Sequence, residues 1–198
     1  KTSNYASTPA HVYGLLGVTD FSNEYCASWY SQDNVSTSNT YRKQWARFVH
    51  DVRGEIQGTA STHASGYSIN WTQLNDGEYK MLVLALKGEN FKTYNGTQPS
   101  SNTTASTAIG FAPGGALFVS TGLTTGNNGN DSRIGVGGWD SLDNMAFDGG
   151  LDQDNVGTMN NDRIHVPDEI FRHYDHTPTL LGSATAAADG NNLVETWA

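Results

Sequence analysis

Gln32-Asp33-Asn34-Val35-Ser36-Thr37-Ser38-Asn39-Thr40-Tyr41-Arg42 occurs a second time, as Gln153-Asp154-Asn155-Val156-Gly157-Thr158-Met159-Asn160-Asn161-Asp162-Arg163. Seven of the eleven positions are identical at an offset of 121. Self-similarity of this kind means that one structural unit is used twice, and it decides how every other segment is read. Continued upstream without a gap to Tyr13 and Ile134, the match gives ten identities in 30 positions, including Gly14/Gly135, Gly17/Gly138 and Asn23/Asn144. Random pairing would give about two at ordinary amino-acid usage. Downstream, Gly58-Thr59-Ala60-Ser61 corresponds to Gly182-Ser183-Ala184-Thr185 at an offset of 124, Asp51 to Asp175 and Gly66 to Gly190. Trp71 then meets Trp197 if two residues are inserted. Such steps are expected where loops lengthen between preserved strands.

The repeated unit reads as β. Val12–Val18, Tyr25–Tyr30, Tyr67–Trp71, Met81–Leu86, Ala116–Val119 and Ile134–Trp139 are short apolar or alternating runs bounded by Gly, Asn, Asp, Ser or Pro. Residues 39–52 carry aromatics and charges without a 3.6-residue stripe and are read as strand. Tyr79–Leu86 is nearly continuously apolar, which suits a strand buried on both faces. Helix is expected to fall well below the usual third of residues. The fold expected is all-β, an antiparallel, jelly-roll-like β-sandwich in two diverged copies. The first unit covers 1–96 and the second 108–198, with 97–107 a Ser/Thr/Asn-rich connection and Thr121–Arg133 an exposed Gly/Asn loop.

The two copies are cut differently. The second opens with the apolar stretch Ile109–Gly122, whose counterpart in the first would precede Lys1. The first closes with Tyr79–Leu86, whose counterpart in the second would follow Ala198. Each unit therefore lacks a terminal strand, the first its opening one and the second its closing one. Either the chain is part of a longer array, or neighbouring subunits supply the strands by β-addition, or the two segments serve one shared sheet. An open apolar edge is otherwise an aggregation hazard.

Composition narrows the function. Of 198 residues, 11 are Lys or Arg and 20 Asp or Glu, a net charge of −9 with no basic cluster beyond Arg42-Lys43. Nucleic acid is not an expected partner, because phosphate binding needs clustered cations. No apolar run approaches the ~18 residues of a membrane helix, and neither a signal peptide nor an initiator Met is present. Cys26 is the only cysteine, so an intrachain disulfide and a Cys-based metal site are both excluded.

Candidate chemistry is sparse. Asp152-Gln153-Asp154-Asn155 alternates oxygen donors as a Ca²⁺ site would, but Ser31 stands where the first copy would need Asp152, and no Gly-led calcium loop follows. Asp33/Asp154 and Asn34/Asn155 read better as Asx residues that hydrogen-bond a turn. Arg42 and Arg163 recur with them and are expected in equivalent positions, each pairing a carboxylate or loop carbonyls. His173 and His176 with Asp175 and Glu169 are a weak zinc pattern, bracketed by Pro167 and Pro178, of which the first copy keeps only His50-Asp51. Neither a Gly-x-Ser-x-Gly elbow nor a phosphate-binding glycine loop is present, and nothing selects a carboxylate pair. Trp139, Trp29 and Tyr30 lie near repeat loops, where aromatic faces stack on sugars or fill cores. No catalytic, cofactor-binding or metal residue is assigned.

The order of motifs resembles that of bacteriophage virion structural proteins of the tail-fibre or appendage type. Their unit runs Gly-Phe-x-Pro-x-Ala-Leu-x-Phe, Ile-Gly-Val-Gly, Asp-Asn-x-x-Thr-x-Asn-x-x-Arg, then Asp-Gly-x-x-x-x-Trp and a final apolar strand. Here these stand as Gly110–Phe118, Ile134–Gly137, Asp154–Arg163 and Asp189–Trp197. The first copy has Asp33–Arg42, Ser65-Gly66, Trp71 and Met81–Leu86. The chain departs from the pattern at Gly114-Gly115, in place of a basic residue after Pro113, and at Asn191, in place of an aromatic after Gly190. The resemblance implies a non-enzymatic structural role in a virus particle, as tail fibre, appendage or capsid decoration, with copies of itself and other virion proteins as partners. The rival expectation is a carbohydrate-binding module on a phage fibre or cell surface, with host surface glycan as ligand.

Overall fold

Short alternating runs punctuated by Gly, Asn and Asp fold as strands, and the computed structural model has fourteen of them and no helix among the described residues. It describes residues 11–32, 40–45, 47–50, 56–74, 83–86, 88, 90–121, 132–152, 161–174 and 179–198. The expected strands Val12–Val18, Tyr25–Tyr30 and Tyr67–Trp71 fall within β1 (His11–Thr19), β2 (Glu24–Gln32) and β6 (Gly66–Leu74). Ala116–Val119 and Ile134–Trp139 fall within β8 (Gly115–Thr121) and β9 (Ser132–Asp140).

Three expectations are corrected. Residues 39–52 are not one strand but two, β3 (Thr40–Trp45) and β4 (Val49–His50), because the chain there leaves one sheet and joins another. The stretch 97–107 is not only a connection, since it contributes most of β7 (Thr103–Ala108). Of Met81–Leu86, the described part Val83–Leu86 carries no strand and is exposed.

The strands form four antiparallel sheets, ordered β1-β2-β3, β4-β5-β6, β11-β10-β9-β8 and β12-β13-β14-β7. The remaining members are β5 (Ile56–His63), β10 (Met145–Asp152), β11 (Asn161–Val166), β12 (Phe171–Tyr174), β13 (Leu180–Asp189) and β14 (Asn192–Trp197). Within each sheet consecutive strands are neighbours, except that β7 lies beside the last strand, β14. This order is simpler than the jelly-roll-like one expected. β7 occupies the outer edge of β14, with Ala108 opposite Asn192 and Thr103 opposite Trp197.

The register shows how the copies correspond. Gly17 stands opposite Cys26 as Gly137 stands opposite Phe147. Gly58 stands opposite Trp71 as Ala184 stands opposite Trp197. The first turn, Asp20–Asn23, is one residue shorter than its counterpart, Asp140–Asn144. In both, the aspartate Oδ1 accepts from the backbone and side-chain N–H groups of the closing asparagine. These bonds hold both carboxyls below the usual range. For Asp20, burial pushes the other way but loses to the Thr93, Asn23 and Ser22 N–H groups; for Asp140 the Asn144 side chain leads.

Among the described residues the second unit has the larger core. Ile109, Trp139, Ile170, Phe171, Ala184, Ala186 and Leu193 form one buried cluster, with Phe111, Phe118 and Trp197 packed against it. It joins side chains from β9 with others from β12, β13 and β14, so the two sheets face each other across it. The Trp197 ring meets Phe171 edge-on at 5.0 Å. Among the described residues of the first unit the buried apolar ones are Cys26, Ala27, Val49 and Ile56.

Candidate assembly surface

The copies differ most in what covers their interiors. On β14, Leu193 is 2% exposed and Glu195 is buried; the matching positions on β6 are Tyr67, 39% exposed, and Ile69, half-buried. Trp71 is likewise open, at 40%, where Trp197 packs into the second core. Among the described residues, the neighbouring strands account for the difference. In the second, β7 pairs with β14, β8 pairs with β9, and the link between them delivers Ile109 and Phe111 to the core. No described strand lies beside the outer edges of β6 or β1. Tyr67, Trp71 and Leu74 therefore form an apolar strip on a sheet edge that offers backbone donors and acceptors. A few residues further on, Val83, Leu84 and Leu86 are exposed as well.

A second exposed feature lies at the β1–β2 turn. Phe21 has a φ of 66°, a conformation that is an outlier for a bulky side chain. Its N–H donates to Thr19 Oγ1 at 2.8 Å, while its ring stays nearly half exposed. Phe21 borders an open cleft of about 590 Å³ shared with Asn23, Glu24, Tyr25, Thr59 and Asn95. Glu24 accepts from the Ala60 N–H at 2.5 Å, which ties this turn to β5.

Residues 92–98 strap the units together. The Thr93 N–H donates to Asp20 Oδ2 at 2.9 Å, and the Thr93 hydroxyl to the Asn23 carbonyl at 3.3 Å. On the other side, Lys92 Nζ donates to the Ala108 carbonyl at 2.6 Å and Gln98 Nε2 to the Leu181 carbonyl at 2.9 Å. Between them the Tyr94 hydroxyl donates to Glu195, which is buried. Burial first, then the Glu195 hydrogen bond and charge, push the Tyr94 phenol far above its ordinary range.

The residues singled out in the sequence are mostly dispersed. Trp139 is 5% exposed in the second core, so it is no surface platform; its indole sits on the inward face of β9 with Gly135 and Gly137. Trp29 is half-buried, and Tyr30 is placed only as a strand position in β2. Asp33, Asn34, Gln153, Asp154, Asn155, Asp175 and His176 lie outside the described residues, and so does most of Thr121–Arg133. Arg42 and Arg163 are not equivalent. Arg42 faces Ser28, whose counterpart Gly149 faces Ile164, one residue past Arg163. Arg163 instead bonds Asp148 on β10 at 2.9 Å, an exposed pair of little energetic weight.

The zinc pattern separates too. Glu169 binds Arg172 through two bonds, of 2.7 and 2.5 Å, while His173 turns inward between Phe147 and Phe171. His173 Nε2 lies 3.1 Å from Ser120 Oγ. That distance would suit a nucleophile and its base; His173 is 6% exposed and Ser120 is half-buried. Sequence reasoning missed this pair; the alternation of buried Phe171 and His173 with half-buried Arg172 and Tyr174 carried the signal. Among the described residues no group of three metal-ligating side chains occurs. No family model, curated protein or solved structure matches this chain.

Proposed function

We propose that this chain is a structural protein of a virus particle, in a phage tail fibre, appendage or capsid decoration, acting without catalysis through assembly and surface contacts. The observation that carries the proposal is the unequal covering of the two copies. Tyr67 and Trp71 stand open where Leu193 and Trp197 are packed, and an isolated soluble protein has reason to hide such an edge. The ordered motifs of the phage-type unit, shared in part between the two halves, support the same role. The test is the protein inventory of purified particles: mass spectrometry should find this chain at stoichiometric abundance, and its absence would sink the proposal.

The Phe21 cleft favours a second reading, carbohydrate binding. An exposed ring held by a capped turn beside Asn23, Asn95 and Glu24 offers both a stacking face and amide and carboxylate partners for sugar hydroxyls. Binding to a glycan array that disappears in Phe21→Ala and Asn95→Ala would establish it. Binding that survives both would place the ligand elsewhere.

A further inference from the structure

We infer that the exposed Val83–Leu86 segment of one copy of this chain adds as a strand to the outer edge of β6 in a second copy. The inference rests on the assembly role proposed above and names the partner. The second unit shows what such an edge requires. Beside β14, β7 runs antiparallel from Thr103 opposite Trp197 to Ala108 opposite Asn192, and the residues that follow it place Ile109 and Phe111 in the core. β6 offers the same ladder. Its Gly66 and Trp71 hold the positions of Asn192 and Trp197, with no described strand on their outer side.

The occupant must bring apolar side chains, because the strip it covers is Tyr67, Trp71 and Leu74. Val83-Leu84-Ala85-Leu86 fits that need. It carries no strand where it stands, Leu84 is 78% and Leu86 65% exposed, and it holds no charge and no proline that would break a ladder. Every copy thus presents both an acceptor edge and a donor segment. Because donor and acceptor differ, one-way use of the contact builds head-to-tail chains or rings, and reciprocal exchange closes a pair. Backbone bonds along β6 supply the register, and alternate side chains of the donor settle between Tyr67 and Trp71.

The experiment measures mass against concentration for the full chain by analytical ultracentrifugation, with hydrogen exchange at Val83–Leu86 and tryptophan emission recorded in parallel. Self-association should rise with concentration, protect the amides of Val83–Leu86 and shift the emission to shorter wavelength. The double variant Leu84→Asp/Leu86→Asp should weaken association by about tenfold or more with an unchanged melting temperature, since both side chains are exposed in the single chain. A wild-type chain that stays monomeric overturns the inference, including the case where Val83–Leu86 is protected by folding onto its own β6. So does association that the double variant leaves intact. Neither failure touches the particle inventory, which decides the assembly role separately.

Discussion

Gly17 and Gly137 share one environment: each lies beneath a backbone carbonyl, that of Phe48 over Gly17 and that of Ile170 over Gly137. A methyl group at either position would stand 1.9 Å from the carbonyl oxygen. Phe48 and Ile170 also match in their own bonds, donating to the Gly58 and Ala184 carbonyls. The chain crosses between sheets at these points, and only a residue without a side chain lets it pass. Gly17→Ala and Gly137→Ala should each cost about 2 kcal/mol or more, since backbone must move to admit the methyl. Urea denaturation of the two variants checks this; a loss under ~0.5 kcal/mol in both would show that the crossing is not tight.

Tyr94→Phe should destabilise the protein by about 1–3 kcal/mol, the cost of leaving a buried acceptor without its donor. Glu195 is that acceptor. The wild type should also lose stability as pH rises above about 10, where the unfolded phenol ionises and the buried one still holds its proton. In Tyr94→Phe that part of the alkaline slope should vanish. Thermal melts between pH 8 and 11 measure both effects.

Acid should weaken the second unit through His173. Burial chiefly, with the Arg133 guanidinium adding to it, lowers the His173 pKa to about 4 from 6.5. Between those values the unfolded imidazole binds a proton and the folded one does not. Stability is therefore fully present above about pH 6.5 and falls as pH drops toward 4, by on the order of 3 kcal/mol. His173→Gln removes the titration and should flatten this slope, whatever its effect at neutral pH. Denaturation midpoints at pH 7, 5.5 and 4.5 for both proteins are the measurement.

Phe21 holds a backbone conformation that costs about 1–2 kcal/mol for a side chain of its kind. Asparagine tolerates that conformation, so Phe21→Asn should raise stability by roughly 1 kcal/mol. A melting temperature that rises while glycan or partner binding falls would mark Phe21 as a residue held in place for contact. A melting temperature that drops would show that the contacts of the exposed ring contribute more than relief of the strain returns.

Much of this was legible in the sequence. The β character, the strand positions and the pairing of Trp71 with Trp197 follow from alternation, turn residues and the repeat. The register of the repeat did not. Gly17 matched Gly138 because an ungapped alignment gains the Gly14/Gly135 identity, whereas the longer turn at Asp140–Asn144 makes Gly137 the true counterpart. A one-residue slip in a strand exchanges its faces, which is also why Arg42 and Arg163 agree as letters and differ as positions. Gly58 likewise matched Gly182 among small residues that look alike, while the ladder sets it against Ala184. Trp139 was legible with more care: Gly135, Gly137 and Trp139 alternate, and two glycines on one face mark a close approach rather than solvent. The open face of β6 was legible only in part. The sequence shows one copy of the stretch Ile109–Gly122, but exposure at Tyr67 and Trp71 depends on which neighbours reach them in space.

The strap gives the molecule a mechanical character. Thr93 grips the first unit through Asp20, and the very next residue grips the second through Glu195. Two adjacent residues leave no slack, so the halves cannot swing apart without tearing one bond or the other. Tension entering at the first half passes through the peptide link between Thr93 and Tyr94 into β14, a strand paired on both sides by β13 and β7. A load borne there is shared along two ladders at once, which suits the chain to act as a stiff link rather than a hinged one.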